Sequence, residues 1–379
     1  MTHIMKKLFG ALALSLALVS CATKSSEITL FPESDFNVEH NGQQVSIYTL
    51  KAGDLVMQVT NFGARVVSLW TPDKNGDYED VVLGYNNIDN YINNPGERFL
   101  GAVVGPYANR IAGGTYTIGE EVYNFPQNNN GQTLHGGLLG LDMVVWNVDS
   151  VTENAIVLSY LHPDGQDGMP GNLNIVMTYT LTPDNEFKVD YVAETDKATH
   201  VNISHHSFFN LKGEGNGTVT DNVMVINASH TTPVDAVLIP TGELADVTGT
   251  PFDFREPHMI GERIDVENEQ LANGLGYDHN WVLDRKTADQ LEFAASVHEP
   301  VSGRFLEVFT DQPALQFYSG NFFDGKSSGK YGKTLNYRES IALETQKYPD
   351  TPNHENFPST LLNPGEKYTH VCVYKFSVK

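Results

Sequence analysis

Short apolar runs that alternate in character and are cut by turn residues recur along this chain, and that pattern limits it to an antiparallel β architecture. The clearest runs are 155–161, 173–181, 187–194, 223–227, 291–298, 304–310 and 370–378. Alternating side chains mark strands with one buried face. Thr182-Pro183-Asp184-Asn185 separates two of them as a hairpin turn, with proline setting φ and Asp/Asn closing the bend. The helical candidates are short, 87–93 and 261–272. There is no strand–helix alternation of the kind a parallel sheet needs, and no repeat of roughly 20–50 residues. No Gly/Ser-rich linker divides the chain after its N-terminal segment. The expected fold is therefore all-β, a large antiparallel β-sandwich in a single domain.

The N-terminus reads as a targeting segment. Lys6 and Lys7 precede an apolar run, 8–19, that is shorter than the roughly 20 residues a spanning helix needs. The run ends in Leu18-Val19-Ser20-Cys21, which resembles a bacterial lipobox, in which the cysteine is acylated and becomes the new N-terminus. Residues 1–20 are then a lipoprotein signal peptide, 21–30 a tether and 31–379 the β domain. The implied location is the bacterial cell envelope, with the membrane engaged only through lipid on Cys21. Cys372 would be the one thiol left, which excludes an internal disulfide. Its alternating surroundings describe a buried apolar residue rather than a nucleophile.

The formal charge of −23 argues against nucleic acid as a partner and fits a neutral small molecule better than a phosphorylated one. Nothing in the sequence fixes the oligomeric state.

Polar segments interrupt the β pattern at a few places. Asn109 and Arg110, in Tyr107-Ala108-Asn109-Arg110-Ile111, offer an amide and a rigid donor fork suited to hydroxyls or a carboxylate, or to a surface salt bridge. His135 is followed by Gly136 and Gly137, which allow close backbone approach. His205 and His206 are adjacent in a strand-like run, so they point to opposite faces and cannot both reach one ion. With no His-x-His or His-Glu-x-x-His spacing, no metal site is expected, and general acid/base work by one of the pair is the better reading. Glu344 is the charged residue of an apolar run, 341–346, so it is either a desolvated functional carboxylate or half of a buried ion pair. Asp278 and Gln316 lie in two further polar segments. Phe208, Phe209 and Trp281 are candidates for an aromatic platform or for core. The cluster 162–171 reads as turn chemistry rather than a calcium loop.

In order, these segments resemble the aldose 1-epimerase (galactose mutarotase) family. The match runs from about Val45 to the C-terminus. It rests on Asn61-Phe62-Gly63-Ala64, Asp80-Val81-Val82-Leu83-Gly84-Tyr85, Ala108-Asn109-Arg110-Ile111, Leu134-His135-Gly136-Gly137 and Pro163-Asp164-Gly165. It continues through His206-Ser207-Phe208-Phe209-Asn210-Leu211, Tyr277-Asp278-His279-Asn280, Gln316-Phe317-Tyr318-Ser319-Gly320-Asn321 and Leu343-Glu344-Thr345-Gln346. The resemblance implies a β-supersandwich and anomer interconversion of free aldohexoses of the glucose or galactose type, with no cofactor. By motif position it implies Glu344 as the base at the C1 hydroxyl and His206 as the acid at the ring oxygen. It assigns Asn109, Arg110, His135, Asp278 and Gln316 to sugar binding. Two positions depart from the family: Pro106 stands where arginine is common, and His205 where asparagine is common. The competing functions are a sugar-binding lipoprotein without turnover, or a glycoside hydrolase pairing Asp278 with Glu344.

Overall fold

The Thr182–Asn185 turn closes as its residues suggest. In the computed structural model, which describes residues 27–94 and 96–379, Thr182 N–H donates to Glu186 O and Asn185 takes φ 59°. Asparagine tolerates that left-handed conformation better than most residues. The turn joins strands Leu173–Leu181 and Glu186–Thr195, registered with Leu181 opposite Phe187. These belong to a nine-stranded antiparallel sheet that runs from Asn147–Val151 through Tyr368–Val378 to His258–Met259.

A six-stranded sheet faces it: Phe208–Phe209, Ile341–Gln346, Ala314–Tyr318, Asp278–Leu283, Ala228–Thr232 and Ala245–Asp246, in that order. The core lies between the two. Ile175, Met177, Tyr179, Phe187 and Tyr191 of the first pack in one cluster with Phe209, Trp281, Leu315, Phe317 and Leu343 of the second. A four-stranded sheet from Ile47–Ala52 to Tyr78–Asp80 adds a flank. The β-sandwich expectation holds.

Period-2 alternation gives the six-stranded sheet a second, outer face. Because Trp281, Leu315, Phe317 and Leu343 point to the core, Asp278, Gln316 and Glu344 point away from it. Register then sets Gln316 between Asn280 and Glu344, with Asp278 one same-face step along its strand, opposite Tyr318. Directly opposed residues have Cβ atoms about 5 Å apart, so this face concentrates polar side chains into a row.

The structure corrects two sequence readings. Residues 261–272 do not form one helix. Ile260–Glu262 is a 3-10 turn, and the α-helix is Glu269–Gly274. Arg263 is drawn to Asp253 O and Asp265 to Arg338, while the Asn268 side chain caps Gln270 and Leu271 N–H. The cap starts the helix there. The double-histidine segment is likewise not one strand. Ser204–His206 pairs with Ala102–Val104, and after Ser207 the chain changes partner, Phe208–Phe209 pairing with Ile341–Gln346. Residues 1–26, including Cys21, lie outside the described residues.

Two buried ties hold the loops that reach over the outer face. Lys330, fully buried, donates to Val67 O (2.7 Å), Val82 O (2.8 Å) and Asp80 Oδ2 (2.5 Å), clamping the segment that follows Phe322. Asp350 accepts from Ala112 N–H (2.9 Å) and donates its own N–H to Arg110 O (2.9 Å). The second tie couples the segment after Glu344 to the Asn109-Arg110 turn.

Candidate active site

Over the outer face of the six-stranded sheet lies a pocket of about 260 Å³, at the small end of ligand sites. Its wall contains Asn109, Arg110, His135, His206, Asp278 and Glu344. Gln316 stands directly behind, donating from Nε2 to Asp278 Oδ1 at 2.8 Å. All seven residues read from the sequence thus converge on one site, drawn from segments far apart in the chain.

Strand alternation separates the two histidines as expected. His205 turns into the core, with Nδ1 3.0 Å from Tyr179 Oη, Nε2 2.6 Å from Ser207 Oγ, and its ring among Tyr179, Phe187 and Tyr374. His206 faces the pocket. Its Nε2 lies 3.4 Å from Glu344 Oε1, and the two residues are 5% and 2% exposed. The Glu344 strand is pinned around them: Ser204 Oγ donates to Thr345 O, and Tyr374 Oη to Leu343 O.

Burial dominates the electrostatics. It pushes the Glu344 carboxyl well above the usual range, with Asp278 and Glu97 adding to the rise and Arg110 opposing it. It also holds the His206 imidazole down to about 3. Both shifts disfavour charge on the pair, while their separation would suit an ion pair, so burial moves the two proton affinities toward one another from their values in water. Asp278 is raised by the same desolvation, offset by Arg110 and the Gln316 bond.

His135 is set by its backbone. It takes φ 51°, and Asn109 N–H donates to its Nδ1 at 3.0 Å while its own N–H donates to Asn109 O at 2.9 Å. Gly136 is required beside it, since a Cβ there would sit 2.0 Å from Gly105 O. Because Nδ1 accepts, the neutral ring must carry its proton on Nε2, which becomes a donor. This bears on metal binding. His135, His206 and Glu344 present ligand atoms within 4.8 Å of one another, the one such trio found among the described residues. A protonated Nε2 has no lone pair for an ion, so the trio suits an oxygen-rich organic ligand better.

Several polar atoms at the site are buried without a hydrogen-bond partner among the described residues: Glu344 Oε2, Gln316 Oε1, Asn129 Oδ1 and Arg110 Nε. Buried polar groups are rarely left unpaired, and these form a cradle of donors and acceptors for a polyhydroxylated guest. Phe99, Phe208 and Phe322 supply apolar wall. Of the three aromatic candidates, Phe208 lines the pocket, while Phe209 and Trp281 are core. The cluster 162–171 stays structural, Asp164 Oδ1 accepting Gly171 N–H and Asp167 Oδ2 accepting Leu139 N–H.

Glu97, Phe99, Asn129 and Phe322 also line the pocket and lie outside the sequence-derived set. Each sits in a loop or turn, where no period or motif marks it; only the chain path places it.

Comparison with known proteins agrees with this geometry. The aldose 1-epimerase family model matches residues 46–375. The galactose mutarotase of Rattus norvegicus is 40% identical over 337 residues, 89% of this chain and 95% of that protein. The aldose 1-epimerase of Escherichia coli (strain K12) is 35% identical over 340 residues, 89% of this chain and 96% of that one. A crystal structure of an aldose epimerase homologue from C. elegans is similar with a TM-score of 0.81 at 29% identity, covering 88% of this chain and 99% of that one. That of the galactose 1-epimerase from Lactobacillus acidophilus NCFM gives 0.78 at 28%, covering 90% and 97%.

Proposed function

The chain belongs to the aldose 1-epimerase family, isomerases that interconvert sugar anomers, and we propose that it does so with Glu344 and His206 as the reacting pair on a neutral aldohexose of the galactose or glucose type. One observation carries the assignment. A carboxyl oxygen and an imidazole nitrogen stand 3.4 Å apart, both buried, amid unpartnered polar atoms.

Ring opening requires a proton removed from the C1 hydroxyl and another delivered to the adjacent ring oxygen. Glu344 takes the first and His206 gives the second. The C1–C2 bond turns, and closure on the other face runs both transfers backward. The pair therefore carries one proton in total, held on His206 before ring opening and on Glu344 after it, and closure returns it. His135 donates from Nε2 to help polarise the ring oxygen. Asn109, Arg110 and Asp278 hold hydroxyls, and Gln316, which the family resemblance also assigns to sugar binding, positions Asp278 from behind. The reaction needs no metal, nucleotide or covalent intermediate.

Polarimetry of freshly dissolved α-D-galactose and α-D-glucose checks this directly. The protein should speed the optical change well beyond buffer. No acceleration is what a sugar-binding protein would give, and sugar released from an oligosaccharide would favour the hydrolase.

Location is proposed on sequence alone. The Lys6-Lys7 pair, the apolar run and Leu18-Val19-Ser20-Cys21 support acylation at Cys21 and anchoring in a bacterial envelope. In cells fed an alkynyl fatty acid, the mature protein should take up label and fractionate with membranes, and Cys21→Ser should do neither. Unlabelled, soluble wild-type protein would rule the anchor out.

A further inference from the structure

The pocket holds three carboxyl groups, Glu97, Asp278 and Glu344, against one guanidinium, Arg110. Asp278 has Gln316 and Arg110 beside it, and Glu344 has His206. Among the described residues Glu97 has no counterpart at ion-pair distance, the guanidinium groups of Arg65 and Arg98 acting on it only from further off. Its sequence neighbour Arg98 is turned away, bonded to both oxygens of Asp142 (2.7 and 2.9 Å) and to Gly137 O. Glu97 Oε1 accepts Phe99 N–H at 2.9 Å, and its second oxygen has no hydrogen-bond partner among the described residues. Its backbone is fixed as well, the carbonyl accepting Tyr85 Oη–H at 3.1 Å. A positioned carboxyl in a ligand pocket with one oxygen left over is a binding group.

Its location says which part of the sugar it meets. Glu97 is carried by the segment whose Phe99 ring packs on His135 (4.6 Å) and lies 5.9 Å from His206, not by the sheet that bears Asp278, Gln316 and Glu344. If C1 is at Glu344 and the ring oxygen at His206, then C5, bonded to that oxygen, comes next on the histidine side. C6, on C5, then lies on the side of the pocket that Phe99 closes, and Glu97 is the carboxyl that the same segment brings to the wall. This step rests on the Glu344–His206 assignment above.

We propose that Glu97 reads the C6 position of the sugar: it accepts a hydrogen bond from a C6 hydroxyl and repels a C6 carboxylate, restricting the enzyme to neutral hexoses over hexuronates. A hydrogen bond to a charged group is among the stronger neutral-ligand contacts, while two carboxylates meeting in a partly desolvated wall disfavour one another.

The test compares kcat/KM for D-galactose, D-galacturonate and L-arabinose, which has the galactose ring hydroxyls but no C6. Wild-type turnover of galactose is the control that separates this residue's role from the family reaction itself. Glu97→Gln keeps the Phe99 bond and removes the charge. Any effect on the Glu344 carboxyl, whose rise Glu97 adds to, falls on both sugars alike, so the galactose KM should rise by roughly 3–10-fold relative to that of arabinose. The substitution should also shrink the galactose-to-galacturonate preference by about tenfold or more. Glu97→Asp, which retracts the carboxylate but keeps its charge, should weaken galactose binding and still reject galacturonate. Sugar preferences within about twofold of wild type in both variants would overturn the proposal. So would an equal loss on galactose and arabinose, because that would mean Glu97 acts on the catalytic pair and not on C6.

Discussion

Glu344→Gln is expected to lower kcat for anomer interconversion by roughly 10²–10⁴-fold, the range a positioned acid or base contributes, while leaving the fold intact. Glutamine has the shape of glutamate and can hydrogen-bond in its place, but it cannot take the C1 hydroxyl proton. Removing a buried carboxyl with an unpartnered oxygen should not destabilise the protein, so circular dichroism and thermal melting should stay close to wild type. A variant that keeps full rate would remove Glu344 from the mechanism even with the activity intact.

The same residue sets the pH dependence. The pair must hold one proton, and burial keeps His206 down to about 3 while raising Glu344. Between those two values the pair is singly protonated. As pH rises through the elevated Glu344 value that proton is lost, and kcat/KM should fall. As pH drops toward 3 a second proton enters. The alkaline limb should therefore be missing from whatever residual activity Glu344→Gln retains. If both proteins show the same limb, it belongs to another group.

His206→Asn is the second large effect. Asparagine can donate a hydrogen bond to the ring oxygen but cannot deliver a proton, so kcat should again fall by roughly 10²–10⁴-fold, with sugar affinity by calorimetry changing far less. Residues that act as a unit are not additive. The double variant Glu344→Gln/His206→Asn should be no more than a few-fold slower than the slower single variant. Losses that multiply would mean two independent roles rather than one shared proton. His205 provides the contrast. Its nitrogens are taken by Tyr179 and Ser207, so its substitution should cost stability rather than turnover.

How far the site can be read from the chain varies residue by residue. Glu344 is visible as a charge inside an apolar run, because burying a lone carboxylate is costly enough to demand a reason. His206 is visible only with its neighbour, since two adjacent strand residues must face opposite ways. Asn109, Arg110, His135, Asp278 and Gln316 are ambiguous as single residues and became a set through family resemblance. The tautomer of His135 is invisible in sequence, as it depends on Asn109 N–H meeting Nδ1 across a turn. Glu97 is invisible too. It lies in an irregular segment, and only the path of that segment past both histidines brings it to the pocket.

The sequence by itself determined the kind of molecule. Apolar alternation and turn chemistry act over a few residues, so they specify strands such as Arg304–Thr310 and the Thr182–Asn185 hairpin without help from distant parts of the chain. Tertiary structure decided which strands meet and in what register. It set Gln316 opposite Glu344 and made the chain switch partners at Ser207. It also stripped water from the carboxyl and the imidazole that now lie 3.4 Å apart. Those outcomes depend on burial and on contacts between residues from 28 positions apart, as for Gln316 and Glu344, to 138, as for His206 and Glu344, which no local pattern encodes.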